Sequence, residues 1–273
     1  MPNTPLIKID NLYFKREDLN PTGSAKDRSL PLQIANLKRL GFTKAVISST
    51  GNAAISAAYF CHQNQIELNV FLSPKVSPQK LQLVKQYPCN INLSLKSISD
   101  AIKFSKKNNA FFLRQSTDPI ALDGYQMIAT EIIDQLPQVT SIFIPVGSGT
   151  TLLGISQKLP PSVKIFAVQS AANCPIAKIF DQNFLEENQL LTDALSAKFI
   201  TKKDQIISQI KKFNGSGLVI NNQDILEANK FLRSKNISTS LEGALALAGY
   251  FKTIKFNLNP GDYPVILLTG AKR

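Results

Sequence analysis

Ile142-Phe143-Ile144-Pro145-Val146-Gly147-Ser148-Gly149-Thr150-Thr151 decides the fold class. An apolar run of strand length ends at glycine, and hydroxyl residues then open a helical stretch. A strand apolar on both faces that turns through glycine into a helix is the building unit of a parallel α/β sheet. Working outward, the same grammar recurs. Ala45–Ser48, Leu68–Leu72, Phe111–Leu113, Ile165–Val168 and Val265–Leu268 are Val-, Ile- and Phe-rich runs bounded by Gly, Pro, Asn or Ser. Between them, 53–63, 77–86, 122–136 and 222–234 carry helical spacing; Ile128, Ile132 and Leu136, for example, fall four apart on one stripe. The alternation predicts parallel sheets with helices on both faces, and no internal repeat or low-complexity linker interrupts it.

In such sheets ligands bind beyond the carboxyl ends of strands, where helices begin. Three junctions have suitable residues. Gly147–Thr151 offers two glycines and three hydroxyls, which suits a phosphate group. It is not a dinucleotide fingerprint, because Leu152 stands at the third glycine position, and no Gly-Lys pair makes it a P-loop. Ser49-Thr50-Gly51-Asn52 offers hydroxyls, an amide and backbone donors that suit a carboxylate. Thr269-Gly270 places a hydroxyl past the last strand. A fourth segment, Asn20-Pro21-Thr22-Gly23-Ser24-Ala25-Lys26, reads as a turn and cap opening the first long helix, with Lys26 near its start. There the helix macrodipole disfavours a cation and favours a neutral, nucleophilic amine.

Composition narrows the choices. At 273 residues, with 44% hydrophobic and 18% charged, the chain is one large or two small globular domains. Three cysteines make no disulfide framework and suit a reducing compartment. The N-terminus lacks the pattern of a secretory signal, and no apolar run approaches the ~18 residues of a membrane span. The single histidine, His62, excludes any metal site needing two imidazoles. Of the +12 net charge, +9 falls in residues 1–120, where 16 basic face 7 acidic side chains. The lysines are scattered and not interleaved with aromatics, so solvated helix faces are expected rather than a nucleic-acid groove.

Taken together, Asn20–Arg28, Ser49–Asn52 and Gly147–Thr151 resemble, in order and spacing, the lysine motif, Asn loop and phosphate cup of the fold-type II pyridoxal-phosphate enzymes. Within that group the chain is most similar to the threonine synthases. Thr4-Pro5-Leu6, Asp118–Gln126, Ala172–Ile176 and Leu268-Thr269-Gly270 resemble segments of that family, so the match runs from about residue 4 to 272. The resemblance implies that Lys26 forms the Schiff base with pyridoxal phosphate and shuttles the substrate's α-proton. It implies that Asn52 bonds the ring's phenolic oxygen, that Gly147, Ser148, Gly149, Thr150 and Thr151 hold the phosphate, and that Thr269 meets the pyridine nitrogen. Ser49, Thr50, Gly51, Asn52, Ala53 and Ser116 become the substrate contacts, and Glu242 takes a supporting role. Ala121 stands where the family has an arginine that binds substrate phosphate, Ala53 where it has threonine, and Asp123 where it has glutamate.

The implied architecture is two parallel-sheet α/β domains with the cofactor in the cleft between them. The larger spans 1–33 plus 125–273, and the smaller, mobile one spans 34–124. The chain stops three residues after Gly270, so a catalytic core without a regulatory domain is expected. The expected activity is that of a cytoplasmic lyase or synthase in amino-acid metabolism, acting on a small amino acid with a β- or γ-leaving group. The order of preference is threonine synthase-like, then serine/threonine ammonia-lyase, then cysteine-synthase-type replacement. A homodimer is implied, with no metal, nucleic acid or membrane partner. A non-catalytic basic binding protein on the same scaffold is the alternative from another class.

Overall fold

The computed structural model describes residues 3–49, 51–197 and 199–273. They group into two compact units, one of residues 1–20 with 125–272, the other of residues 21–124 with Arg273.

The first unit holds a six-stranded sheet in the order β1-β2-β10-β7-β8-β9. Its strands are β1 (Leu6–Ile9), β2 (Leu12–Arg16), β7 (Ser141–Pro145), β8 (Lys164–Ser170), β9 (Ser216–Ile220) and β10 (Pro264–Leu268). β1 runs antiparallel to β2, and every other neighbour pair is parallel. One face buries Phe14, Phe143, Phe166, Val168 and Ile266 against α8 (Asn222–Ser234) and α9 (Leu241–Lys255). The alternate residues Ile142, Ile144, Ala167, Val265 and Leu267 are buried too, as the continuous apolar runs require.

The second unit holds a four-stranded, wholly parallel sheet ordered β5-β4-β3-β6. Its strands are β3 (Lys44–Ser48), β4 (Glu67–Leu72), β5 (Asn90–Leu93) and β6 (Phe111–Phe112). Alternation divides its faces. Ala45, Ile47, Leu68 and Val70 pack with α1 (Leu30–Arg39), α2 (Asn52–Gln63) and α3 (Pro78–Val84). Val46 and Phe71 pack with Ala101 and Phe104 of α4 (Ser97–Lys107) on the other face. The boundary at 124/125 falls inside α5 (Ile120–Gln135).

Residues 21–33, placed with the larger domain on sequence, group with the second unit, where Leu30 joins the apolar core and polar pairs add to it. Asp27 bonds Ser56 of α2, and Gln33 donates to Asp118 at 2.7 Å. A Cβ on Gly124 would stand 2.1 Å from the Arg28 carbonyl oxygen, so backbone meets backbone there. Lys26 also differs from expectation. It lies in a short 3-10 turn, Ala25–Arg28, and α1 begins only at Leu30.

A buried charge network fixes the start of the first unit. Lys15 is wholly buried, and its Nζ donates to Glu131 Oε2 at 2.5 Å and to the Thr4 carbonyl at 2.7 Å. Thr4 Oγ1 in turn donates to Glu17 Oε1 at 2.6 Å. Removing one member leaves a buried charge unmatched. Lys15→Met is therefore expected to lower stability by about 3–5 kcal/mol, and adding Glu131→Met to recover much of that loss, as read by urea unfolding.

Candidate active site

In the second unit the site residues gather at the carboxyl edge of the sheet. β3 ends at Ser48, and the Ser49–Asn52 segment follows it into α2. The turn carrying Ser116 follows β6, the strand beside β3. Two adjacent strands therefore bring Ser49, Gly51, Asn52, Ala53 and Ser116 to one edge; Thr50 lies outside the described residues. Ser49 and Ser116 are half-buried, while Ala53 is buried. Ser49 Oγ accepts from Gly51 N–H at 3.3 Å. Among the described residues no side chain caps α2, and a Cβ on Gly51 would meet nothing within 4 Å.

The Lys26 turn is tied to that helix by Asp27. Its carboxylate accepts from Thr22 N at 2.6 Å, Thr22 Oγ1 at 2.5 Å and Ser56 Oγ at 2.6 Å. Burial pushes the Asp27 carboxyl up from its ordinary range, while these donors and the Arg273 charge pull the other way. Arg273 Nη1 donates to Asn52 Oδ1 at 3.0 Å, and Nη2 donates to the Thr22 carbonyl. Asp27, Thr22, Ser56 and Arg273 were missed on sequence. The pairings span up to 251 residues, and only the short separation of Thr22 from Asp27 was open to a local reading.

In the first unit the edge is built the same way. Gly147–Thr151 follows β7, and Thr269 follows its neighbour β10. Gly149 has φ +81° and caps α6 (Thr150–Ser156), a conformation that favours glycine. Its place is also crowded, since a Cβ would stand 2.1 Å from Ile206 Cδ1. Ser148 and Thr150 hydroxyls lie 3.0 Å apart, Thr150 is buried, and Thr151 is half-buried. The half-buried Thr269 is set by Gly270, whose carbonyl accepts from Ser240 N and Thr239 Oγ1, both at 2.8 Å.

Glu242 has a definite place here. Buried at the start of α9, its Oε1 accepts from Ala194 N at 3.1 Å. Asn173 holds the same segment by donating to Leu195 O at 2.8 Å and Ala197 O at 3.2 Å. That segment leans on the loop, because a Cβ on Gly147 would come within 3.2 Å of Leu195.

Cys61 is buried, and burial pushes its thiol up to about 12. His62 is exposed on α2 beside Tyr87. Among the described residues, no three His, Cys, Asp or Glu form a metal-holding group, and no helix is long and apolar enough to cross a membrane.

A pyridoxal-phosphate dependent enzyme family matches residues 1–270, and the chain belongs to it. It is thus an enzyme of fold type II whose cofactor is pyridoxal phosphate. The threonine synthase of Methanosarcina acetivorans is 26% identical over 97% of this chain and 73% of its own length. The L-threonine ammonia-lyase of Geobacter sulfurreducens is 28% identical over 59% of this chain and 42% of its own. Maize serine racemase superposes with a TM-score of 0.87 at 19% identity, covering 99% of this chain and 88% of that one. A threonine deaminase of Solanum lycopersicum gives 0.85 at 21%, with 99% and 79% covered. At these identities the two superpositions speak for the fold.

The residues present fit the cofactor. The left-handed Gly149, the N–H groups at the start of α6 and the Ser148–Thr150 hydroxyl pair are donors of the kind a phosphate monoester takes. Two outcomes follow. Glu242→Ala is expected to weaken pyridoxal phosphate about tenfold while leaving pyridoxal, which lacks the phosphate, unchanged in equilibrium dialysis. Glu242→Gln keeps an acceptor for Ala194 and is expected to retain most of the affinity. Separately, native Cys61 is expected to resist iodoacetamide at about pH 8 until denaturant is added, by peptide mass spectrometry.

Proposed function

We propose that the chain is a pyridoxal-phosphate dependent lyase or synthase acting on a small amino acid with a β- or γ-leaving group, first of all in the manner of a threonine synthase. The observation that carries this reading is the Asp27 anchorage, which fixes the Lys26 turn to the Asn52 helix. The similarity to threonine synthases over 97% of the chain supports it.

Bound pyridoxal phosphate supplies an electron sink for the pair released at the substrate's α-carbon. Lys26 holds the cofactor through Nζ and carries the α-proton. Asn52 donates to the phenolic oxygen. Ser148, Thr150, Thr151 and the N–H groups that follow Gly149 bind the phosphate. Thr269 meets the pyridine nitrogen with a neutral hydroxyl, which does not hold a proton there as a carboxylate would. That moderates the sink and suits elimination and replacement over transamination. Ser49, Ser116 and the N–H groups about Gly51 receive the α-carboxylate at the start of α2.

One observation favours an ammonia-lyase as the second reading. Ala121 is fully buried in α5, so the position of the family's phosphate-binding arginine offers no charge to a substrate phosphate.

The test begins with cofactor. Wild type purified with pyridoxal phosphate is expected to be yellow, and Lys26→Ala colourless; a wild type that never takes up the cofactor refutes the proposal. O-phosphohomoserine, L-threonine, L-serine and O-acetylserine are then assayed side by side for phosphate, keto acid and acetate. Phosphate release from the first supports threonine synthase chemistry. Keto acid from threonine or serine alone moves the assignment to the ammonia-lyase.

A further inference from the structure

The lysine turn and the start of α2 share one cation, and the chemistry of its partners gives it a task. Arg273 groups with residues 21–124. Its Nη1 donates to Asn52 Oδ1 at 3.0 Å, and its Nη2 donates to the Thr22 carbonyl. A guanidinium is a flat, rigid fork, so bonding both Nη atoms to different segments fixes its orientation as well as its position. Asp27 takes the N–H and hydroxyl of the same Thr22 and is the charge that opposes the desolvation of Arg273. Thr22 is thus gripped at both ends, by a carboxylate on its donors and a guanidinium on its acceptor.

Asn52 gains most from this. Its amide has an acceptor end and a donor end of nearly equal shape, and which end faces a ligand depends on its neighbours. Arginine can only donate, so only Oδ1 can face it. The Nδ2 donor is then turned away from Arg273. A phenolic oxygen needs a donor, whether or not it is ionised. An Asn52 with its amide reversed would present a second acceptor and repel it.

We propose that Arg273 is a positioning residue that sets the polarity of Asn52, so that Nδ2 faces the phenolic oxygen of pyridoxal phosphate with a fixed positive charge behind it; this rests on the assignment of Asn52 proposed above. Arg273 touches Asn52 and acts through it. Lysine cannot replace it fully, because an ammonium keeps the charge but not the fork.

A double-mutant cycle tests this, using pyridoxal phosphate affinity by fluorescence titration, absorbance titration of the bound chromophore, and apo-protein melting. Arg273→Met is expected to weaken the cofactor about tenfold in the wild-type background and less than about twofold in Asn52→Ala. It is also expected to raise the apparent pKa of the bound chromophore by up to about one unit, because a nearby cation favours the ionised phenolic oxygen. Arg273→Lys is expected to recover that titration and only part of the affinity. The proposal is overturned if the Arg273→Met and Asn52→Ala losses multiply, or if Arg273→Met leaves both affinity and titration unchanged. It also falls if Arg273→Lys restores melting but not the titration, which marks a purely structural role. A wild type that binds no cofactor instead refutes the functional reading itself, so the two failures are distinct.

Discussion

Everything in the lysine-bearing half depends on one buried carboxylate. Asp27 is wholly inaccessible, and moving such a group out of water costs several kcal/mol unless donors surround it. Three do, at 2.5–2.6 Å, and two of them come from Thr22, on the far side of the turn that contains Lys26. The third, Ser56, sits one helical turn beyond Asn52 on α2. The penalty of burial therefore falls on any conformation in which the Lys26 turn and α2 separate. The residue that holds the turn is thus the immediate neighbour of Lys26.

The strands that deliver site residues were plain in the sequence because they are buried on both sides. β3, β4, β7, β8 and β10 are runs of Val, Ile, Leu and Phe, and such runs need no partner to be recognised. β1 and β2 were not seen. Lys8, Lys15 and Arg16 interrupt them, and Lys15 is apolar-compatible only because Glu131, more than a hundred residues away, accepts its proton donors. α9 was missed for the opposite reason. Gly243 to Ala248 is buried all round, so no polar stripe marks a helical period.

The site divides along the same line. The candidate residues Lys26, Asn52, Gly149 and Thr269 were picked out by motif and resemblance, and three of them also sit at local landmarks: a left-handed cap at Gly149, a helix start at Asn52, a strand end at Thr269. The residues that hold them in place were not. Ser56 looks like any small helix residue, and Arg273 like any surface cation. Glu242 was given a supporting role, but the contact with Ala194 N through which it acts was not visible. Sequence pattern reports what the backbone needs nearby, and long-range polar pairs leave no period to read.

The net charge of +12 also takes on a different meaning. Several buried or half-buried cations are committed within the fold: Lys15 to Glu131, Arg16 to Asp18 at 2.8 Å, Lys252 to Asp181 at 2.6 Å, and Arg273 to Asn52 and Thr22. In the function proposed above, anion recognition falls instead to neutral donors at the ends of parallel strands, where buried β7 and β10 fix the backbone just before them. Neutral donors suit such a place. They bind a phosphate or a carboxylate without the desolvation cost of a second buried charge.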